Sequence, residues 1–260
     1  MPSTATLEVS RPPLTLLGTE PWRAALEFLA FKVNHVRQQK AVPVGDGHPV
    51  IIFPGLATDS SAIAPLRDYC ESLGYSTLDW GKGFNTGPKG DVGQWLQELA
   101  DHTAGLLAPH KDTATLIGWS LGGLYAREVA KLLAPQVRQV ITIGTPFNAD
   151  ADHTNVGWLF RLLSGTPAAI NPALSKRLRT PPPLPTTSIY SRSDGVVAWE
   201  TCCHAKASRQ VQDIEINGSH IGMGWNPAVL QIVGDRLAQH PARWQPYGLH
   251  LVPPPGKQAA

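Results

Sequence analysis

The stretch that most restricts how this chain can fold is a serine bracketed by glycines between two regular patterns. Ser120 has Gly118 two residues before it and Gly122 two residues after it. The apolar run at 114–117 is typical of a buried parallel strand, and the apolar residues that follow Ser120 recur at helical spacing. We therefore predict a strand that turns sharply into a helix, with Ser120 at the turn.

This turn has chemical consequences for Ser120. Glycines are needed on both sides because a side chain at either position would collide with the neighbouring strand or helix. The serine backbone would be strained, and its hydroxyl would stand at a helix N-terminus, where free N–H groups favour developing negative charge. We predict a nucleophile suited to acyl transfer. The alternative is a glycine-rich turn with no chemical role.

Composition narrows the class of protein. The chain has 260 residues, of which 42% are hydrophobic and 16% charged, so we expect one compact α/β domain with room for an insertion. The net charge of +2 gives no reason to expect a nucleic-acid partner. We also expect no metal site, because the Cys202-Cys203-His204 cluster lacks a matching second pair of ligands.

The N-terminal residues and the cysteines bear on the expected location. Residues 1–11 show no charged start followed by an apolar segment, and no apolar run approaches the ~20 residues needed to span a bilayer. The three cysteines, at positions 70, 202 and 203, form no disulfide framework, which is consistent with a reducing compartment. We expect a soluble, cytoplasmic protein.

Residues 1–40 are predicted to form a leader followed by an amphipathic helix over 21–39. Its apolar residues recur at steps of three and four, and we expect this face to cover the domain. Contact of the helix with a membrane surface or a partner is the alternative. The face consists of Trp22, Leu26, Leu29, Val33 and Val36.

The rest of the chain is predicted to alternate strands and helices. We assign 41–146 and 186–250 to the core, 147–185 to a cap insertion and 251–260 to a tail. Helices are predicted at 62–73 and 92–107, in addition to the helix after Ser120. The predicted strands, besides the one before Ser120, are 49–53, 75–80, 139–143, 187–190 and 211–216.

The predicted cap is longer than an ordinary connection between a strand and a helix. Long insertions on compact domains are commonly lids or binding loops. We expect Trp158, Leu159 and Leu162 in its apolar cluster to shape a pocket for an acyl group. The alternative is surface decoration without contact to substrate.

An acid and a histidine each follow a predicted strand on the side of the sheet where Ser120 lies. Asp194 follows 187–190 and His220 follows 211–216. The carboxyl ends of parallel strands meet at one edge, so we expect Ser120, Asp194 and His220 to converge there. His220 would accept the serine proton, and Asp194 would fix the histidine tautomer and stabilise the imidazolium.

Other residues compete for these roles. His204 is the main rival base, but it precedes the last strand instead of following it. Asp150 and Asp152 are weaker alternatives for the acid, and Asp213 is disfavoured because it lies within a predicted strand.

Two backbone N–H groups are candidates for binding an oxyanion. Leu121 follows the serine directly, and the loop after 49–53 could bring the N–H of Leu56 beside Ser120. The alternative for Leu56 is an ordinary turn into the next helix.

At this point the chain resembles the lipase and esterase branch of the α/β-hydrolase superfamily from about residue 50 onward. The resemblance implies an α/β-hydrolase fold with a mostly parallel sheet of about eight strands, and hydrolysis of carboxylic esters without a cofactor. The chain departs from many lipases in having Pro54 where a histidine often precedes the glycine of the oxyanion loop. The matching segments are Phe53-Pro-Gly-Leu56, Gly118-Trp-Ser-Leu-Gly-Gly123, Gly144-Thr-Pro146, Ser191-Arg-Ser-Asp-Gly-Val-Val197 and Gly218-Ser-His220.

We therefore expect a serine carboxylester hydrolase, an esterase or lipase that forms an acyl-enzyme from a moderately apolar ester. An acyltransferase or thioesterase with the same three residues is the first alternative. A non-catalytic binding module on the same scaffold is the second. The expected partner is a small-molecule or lipid ester, and no obligate protein partner is inferred.

Overall fold

The computed structural model describes residues 12–38, 44–148, 172–205 and 208–248. Helices and strands alternate along most of this length. They are α1 Leu14–Gln38, β1 Pro49–Phe53, α2 Ala64–Ser72, β2 Ser76–Asp79, α3 Val92–Leu107, β3 Ala114–Trp119, α4 Leu121–Leu132, β4 Val137–Ile143, α5 Pro172–Arg179, β5 Thr186–Ser191, β6 Val211–Ile216 and α6 Pro227–Leu237.

The strands form one sheet in the order β2-β1-β3-β4-β5-β6, and every neighbouring pair is parallel. Phe53 at the end of β1 lies opposite Gly118 in β3. The chain runs from β1 outward to β2 and then back to β3 on the other side, so the direction of winding reverses between β1 and β3. In open α/β sheets, ligands bind at such a reversal, outside the carboxyl ends of the strands.

The sheet is covered on both faces, which explains why the central strands are continuous apolar runs. All residues of β1, β3 and β4 are buried. On one face α3 and α4 enclose a core that includes Leu99, while on the other α2 and α6 enclose a second core that includes Leu66. Both cores leave the carboxyl edge of the sheet available for the loops that follow the strands.

The predicted fold class is confirmed, but the predicted strand number is wrong. The resemblance implied about eight strands, whereas the described residues form six. The physical reason lies ahead of β1, where residues 14–38 form a helix and leave no segment in the described ranges to extend the sheet. The first described strand, β1, lies second from one edge of the sheet.

The start of α1 also differs from the prediction. The helix was expected to begin at Pro21, because the apolar residues recur at helical spacing from Trp22 onward. Instead α1 begins at Leu14 and contains Pro21 internally. A proline has no N–H, so α1 lacks the backbone hydrogen bond that residue 21 would otherwise donate.

The predicted orientation of α1 is wrong as well. The apolar face expected to cover the domain points outward, with Trp22 69%, Leu26 52%, Leu29 62% and Val33 73% exposed. The face against the domain consists of the nearly buried residues Glu20, Ala24 and Phe31, together with the half-buried Glu27. Contact of the outer face with a membrane or partner stays a prediction.

The division into core, cap and tail also stays a prediction, since 149–171 and 249–260 lie outside the described residues. Within the cap range, α5 packs on α4 through an ion pair of 2.6 Å between Arg177 Nε and Glu128 Oε2. Leu178 is buried in the same core as α4. No helix in the described part of the chain is both long and apolar enough to cross a membrane.

We expect Gly122→Ala to destabilise the protein by about 3 kcal/mol or more, as overpacking against fixed backbone does. A methyl group at Gly122 would overlap the carbonyl oxygens of Phe53 and Pro54, which only separation of α4 from β1 could relieve. Gly105→Ala in α3 is the control, because its exposed position has no atom within 4 Å. It should stabilise by ~0.5–1 kcal/mol. Urea unfolding measures both, and similar effects would contradict the prediction.

Candidate active site

Ser120 occupies a strained turn at the edge of the sheet. It joins β3 to α4 with φ 54° and ψ −121°, in a region that side-chain-bearing residues rarely adopt. Its N–H donates to the carbonyl of Ile143 in β4 at 2.8 Å. A Cβ at Gly118 would overlap the backbone of Gly122, so the turn can be this tight only with glycine there. The serine side chain is half-buried.

The structure brings Asp194 and His220 to Ser120. His220 Nε2 lies 3.0 Å from Ser120 Oγ, and His220 Nδ1 lies 2.6 Å from Asp194 Oδ2. The other carboxylate oxygen of Asp194 accepts from the N–H groups of Val196 at 2.8 Å and Val197 at 2.7 Å. Since an ionised carboxylate only accepts, Nδ1 of His220 carries the proton and Nε2 is free to accept the serine proton.

The electrostatics of His220 favour its protonated form. Burial acts to lower the pKa of His220, but the charge of Asp194, its hydrogen bond and the charge of Glu20 together raise the pKa above the ordinary 6.5. An imidazole that gains a proton from Ser120 is therefore stabilised as imidazolium. Gly144, at φ +55°, leaves room for this ring, because a Cβ there would lie 3.2 Å from His220 Nδ1.

One expected oxyanion donor directly follows Ser120, and the other lies in a loop that passes close to it. Leu121 is the first residue of α4, and a helix N-terminus leaves such N–H groups without intrahelical partners. Leu56 is half-buried in the loop that follows β1. A Cβ at the adjacent Gly55 would lie 3.5 Å from Ser120 Cβ, so this loop contacts the serine closely.

A residue that the sequence patterns did not identify, Asn85, holds this loop. Asn85 donates from Nδ2 to the carbonyl of Pro54 at 2.9 Å, and its own carbonyl accepts from Ala57 N at 2.8 Å. Tyr125 of α4 donates to Asn85 Oδ1 at 3.2 Å. Ala57 and Ser120 are the non-glycine residues with positive φ in the described ranges, so backbone strain is concentrated on both sides of this site. No local pattern marks Asn85, because its partners are distant in sequence.

The rival residues have other partners. His204 Nδ1 lies 2.6 Å from Asp213 Oδ1, and His204 Nε2 faces the guanidinium of Arg127 at 2.8 Å. Both ring nitrogens are therefore engaged away from Ser120. Asp150 and Asp152 lie outside the described residues, as do Trp158, Leu159 and Leu162 of the predicted pocket.

The side chains of the Cys202-Cys203-His204 cluster each contact different groups. Cys202 and Cys203 are buried, and burial raises the pKa of both thiols. Across the described ranges, no three histidine, cysteine or acidic side chains come together in a way that could hold a metal ion.

An apolar groove lies between α1 and the start of α2, beside the loop that follows β6 and carries His220, here called the histidine loop. Its cavity volume is about 830 Å³, within the range of small-molecule sites. Ile221, which directly follows His220, forms part of its lining. The apolar lining also includes Ala24, Ala25, Phe28, Ala62 and Trp225, and the charged residues are Lys32 and Asp68.

Solved structures share this architecture. A lipase-esterase related protein from Clostridium acetobutylicum superposes with a TM-score of 0.51 at 18% identity, covering 75% of this chain and 97% of that one. Lipase B from Aspergillus fumigatus gives 0.57 at 18% identity, covering 78% and 57%. A monoacylglycerol lipase from Paleococcus ferrophilus gives 0.53 at 12% identity, covering 75% and 96%. The chain therefore has the α/β-hydrolase fold.

Sequence comparison gives a more local similarity. Part of the chain is similar to a pimeloyl-[acyl-carrier protein] methyl ester esterase from Shewanella woodyi, with 30% identity over 103 residues. The match spans 39% of this chain and 38% of that relative. No model of a known protein family matches the sequence.

The pKa values of the two buried histidines, His220 and His204, should be shifted in opposite directions from the ordinary value. We expect His220 to titrate above 6.5, and His204 below it, because burial and the Arg127 charge outweigh Asp213 there. Ring NMR signals measured against pH, assigned in His→Gln variants, give both values. Asp194→Asn should lower the pKa of His220 and leave that of His204 unchanged. The reverse order of the two pKa values in the parent would contradict this assignment.

Proposed function

We propose that this chain is a serine hydrolase that cleaves carboxylic esters bearing an apolar group, through an acyl-enzyme on Ser120. The proposal rests on one observation, the unbroken line of hydrogen bonds at the carboxyl edge of the sheet. It runs from Ser120 Oγ to His220 Nε2 at 3.0 Å and from His220 Nδ1 to Asp194 Oδ2 at 2.6 Å. This is the arrangement that activates a serine hydroxyl.

The first half of the reaction acylates the serine. Ser120 Oγ attacks the ester carbonyl carbon while His220 Nε2 takes the hydroxyl proton, and the carbonyl oxygen becomes an oxyanion. The N–H groups of Leu121 and Leu56 donate to that oxyanion. The carbon–oxygen bond to the alcohol then breaks, His220 gives its proton to the departing alcohol, and the acyl group stays on Ser120.

The second half releases the acid. A water molecule gives a proton to His220 and attacks the acyl carbon, which forms a second oxyanion in the same place. The bond to Ser120 Oγ breaks, the serine recovers the proton from His220, and the carboxylic acid leaves. Asp194 keeps its charge throughout, holds the Nδ1–H tautomer and stabilises the imidazolium.

The groove beside His220 supports an ester with an apolar part. Its lining is mostly apolar, and one wall is α1, which is anchored to the histidine loop. Each buried methylene group contributes about 0.8 kcal/mol, so a chain of a few carbons gains substantial binding energy there. The name of the similar esterase, which describes a methyl ester of an acyl group, agrees with a substrate of this kind. The contribution of Trp158, Leu159 and Leu162 stays a prediction.

Substitution of the serine and the acid tests the chemistry. Ser120→Ala should abolish hydrolysis of p-nitrophenyl esters and labelling by a fluorophosphonate probe while leaving the fold intact. Asp194→Asn should reduce kcat by about 10⁴-fold, because the wrong imidazole tautomer would face the serine. His204→Gln is the matched control and should retain activity, since both ring nitrogens bind other groups. Labelling of Ser120→Ala at the parental rate would refute the proposal.

The groove can be tested by filling it. Ala25→Trp places a large ring at an exposed lining position. We expect a loss of about tenfold or more in kcat/KM for esters whose apolar chain exceeds about six carbons, and little change for acetates. Esters graded in acyl length and, separately, in alcohol length identify the part that binds. Leu29→Trp, on the exposed face of the same helix, is the control. An identical chain-length profile in both variants would contradict this use of the groove.

A further inference from the structure

The geometry points to Glu20 of α1 as a positioning residue that joins the loop of Asp194 to the loop of His220. We infer that one carboxylate sets the distance between the acid and the base of the proposed reaction. The inference rests on the proposed function. It concerns a helix that lies outside the segments resembling known hydrolases.

Glu20 contacts the backbone of both loops at once. Its Oε1 accepts from Gly195 N at 2.7 Å, directly after Asp194, and from His220 N at 3.1 Å. Its Oε2 accepts from Ile221 N at 3.2 Å. The side chain is only 2% exposed. Hydrogen bonds to a charged acceptor are stronger than neutral ones, and removal of a buried acceptor leaves its donors unsatisfied.

The neighbouring Arg23 makes the charge of Glu20 tolerable in this buried position. Its Nη2 lies 2.7 Å from Glu20 Oε1, and its Nη1 donates to the carbonyl of Ser193 at 2.6 Å. The loop that carries Asp194, here called the acid loop, is thus held on both sides of that residue. The Glu20 carboxylate binds the N–H of Gly195, and the Arg23 guanidinium binds the carbonyl of Ser193. Buried charges persist in proteins when they are paired and hydrogen-bonded in this way.

The approach of α1 to the acid loop depends on Gly195. A Cβ at this position would lie 2.5 to 2.7 Å from backbone atoms of Leu16 and Leu17 in the first turn of α1. Helix and loop are therefore in direct backbone contact, and Glu20 reaches the Gly195 N–H without an intervening side chain. Such contact leaves little freedom for the loop to shift relative to the helix.

A second glutamate, two helical turns further on, holds the other side of the histidine loop. Glu27 accepts from Ser219 N at 2.8 Å and from Ser219 Oγ at 3.2 Å. Residues seven apart lie on one helix face, so both carboxylates point at the domain. Glu27 binds the histidine loop alone, whereas Glu20 binds both loops. Of the two glutamates, Glu20 is therefore the one that relates the two loops to each other.

The consequence for the reaction is geometric. The Asp194 and His220 loops follow the neighbouring strands β5 and β6, whose pairing ends at Ser191 and Ile216. Beyond that point Ser193 Oγ donates to the carbonyl of Gly218 at 3.1 Å, and Glu20 binds both loops closer to the reacting side chains. Glu20 binds the backbone N–H of His220 itself, which fixes the point from which the imidazole extends toward Ser120. A misplacement of about 1 Å in such a group can cost 10²-fold in rate.

The charge of Glu20 has an electrostatic effect on the same imidazole. The charged groups facing His220 are Asp194 from the loop after β5 and Glu20 from α1, with Arg23 and Glu27 of α1 beside them. Asp194 and Glu20 both raise the pKa of His220. Loss of the Glu20 charge should lower this pKa. A reaction that needs neutral His220 slows as the pH falls through this pKa, and this part of its pH–rate profile is the acid limb. The acid limb would then move to lower pH.

The test measures the rate of fluorophosphonate labelling of Ser120 against pH. For Glu20→Gln we expect the plateau rate to fall about 10- to 100-fold and the acid limb to move down by about 0.5 pH unit or more. Glu20→Asp keeps the charge but shortens the reach, so it should lose rate while its acid limb stays near that of the parent. A purely structural role would not separate these two effects.

Leu99→Ala is the control for lost stability, because Leu99 is buried in α3 on the other face of the sheet. It should destabilise the fold but keep the parental rate and acid limb. Parental rates in both Glu20 variants, or losses without any shift of the acid limb in Glu20→Gln, would overturn the inference. Failure of both Glu20 variants to fold, while Leu99→Ala folds, would overturn it too.

A parent that is not labelled at Ser120 refutes the proposed function and the inference with it, whereas a labelled parent with unaffected variants refutes only the inference.

Discussion

The close backbone contact of α4 with β1 and β3 is the constraint on which the rest of this structure depends. Only glycine at 118 and 122 lets the helix begin so near the two strands, and the turn between them holds Ser120 at positive φ. The contact lies where the winding of the sheet reverses, so the serine and the loop after β1 meet there. A wider turn would move Ser120 away from His220, whose Nε2 lies 3.0 Å from Ser120 Oγ.

The loops that carry Asp194 and His220 are contacted by α1, several of whose larger apolar residues face away from the domain. Four large apolar residues of α1 face outward, while Glu20 and Glu27 point at the loops of Asp194 and His220. Burial of carboxylates is costly unless their oxygens are well paired. Here the loop N–H groups and Arg23 provide those partners. The main contribution of α1 to the site is therefore the set of hydrogen bonds that hold the two loops, and the burial of apolar surface is secondary.

Much of the architecture follows from local patterns in the sequence. The strand 49–53, for example, was predicted because a strand buried on both faces is a continuous apolar run, which is visible in the sequence itself. The orientation of α1 could not be predicted in this way, because hydrophobic periodicity shows that a helix has an apolar face but not what that face contacts. The strand number taken from the resemblance was wrong, because a helix and not a strand precedes β1 and the described residues form six strands.

The sequence by itself determined the turn at Ser120 and the order in which an acid and a histidine follow later strands, because these depend on glycine sterics and strand periodicity within short segments. Only the tertiary structure decided that Asp194 and His220 lie within hydrogen-bonding distance of each other and of Ser120. It likewise decided that Glu20 and Asn85 hold the loops around them. Such contacts join residues separated by as many as 200 positions, and no local pattern encodes a distance between segments so far apart.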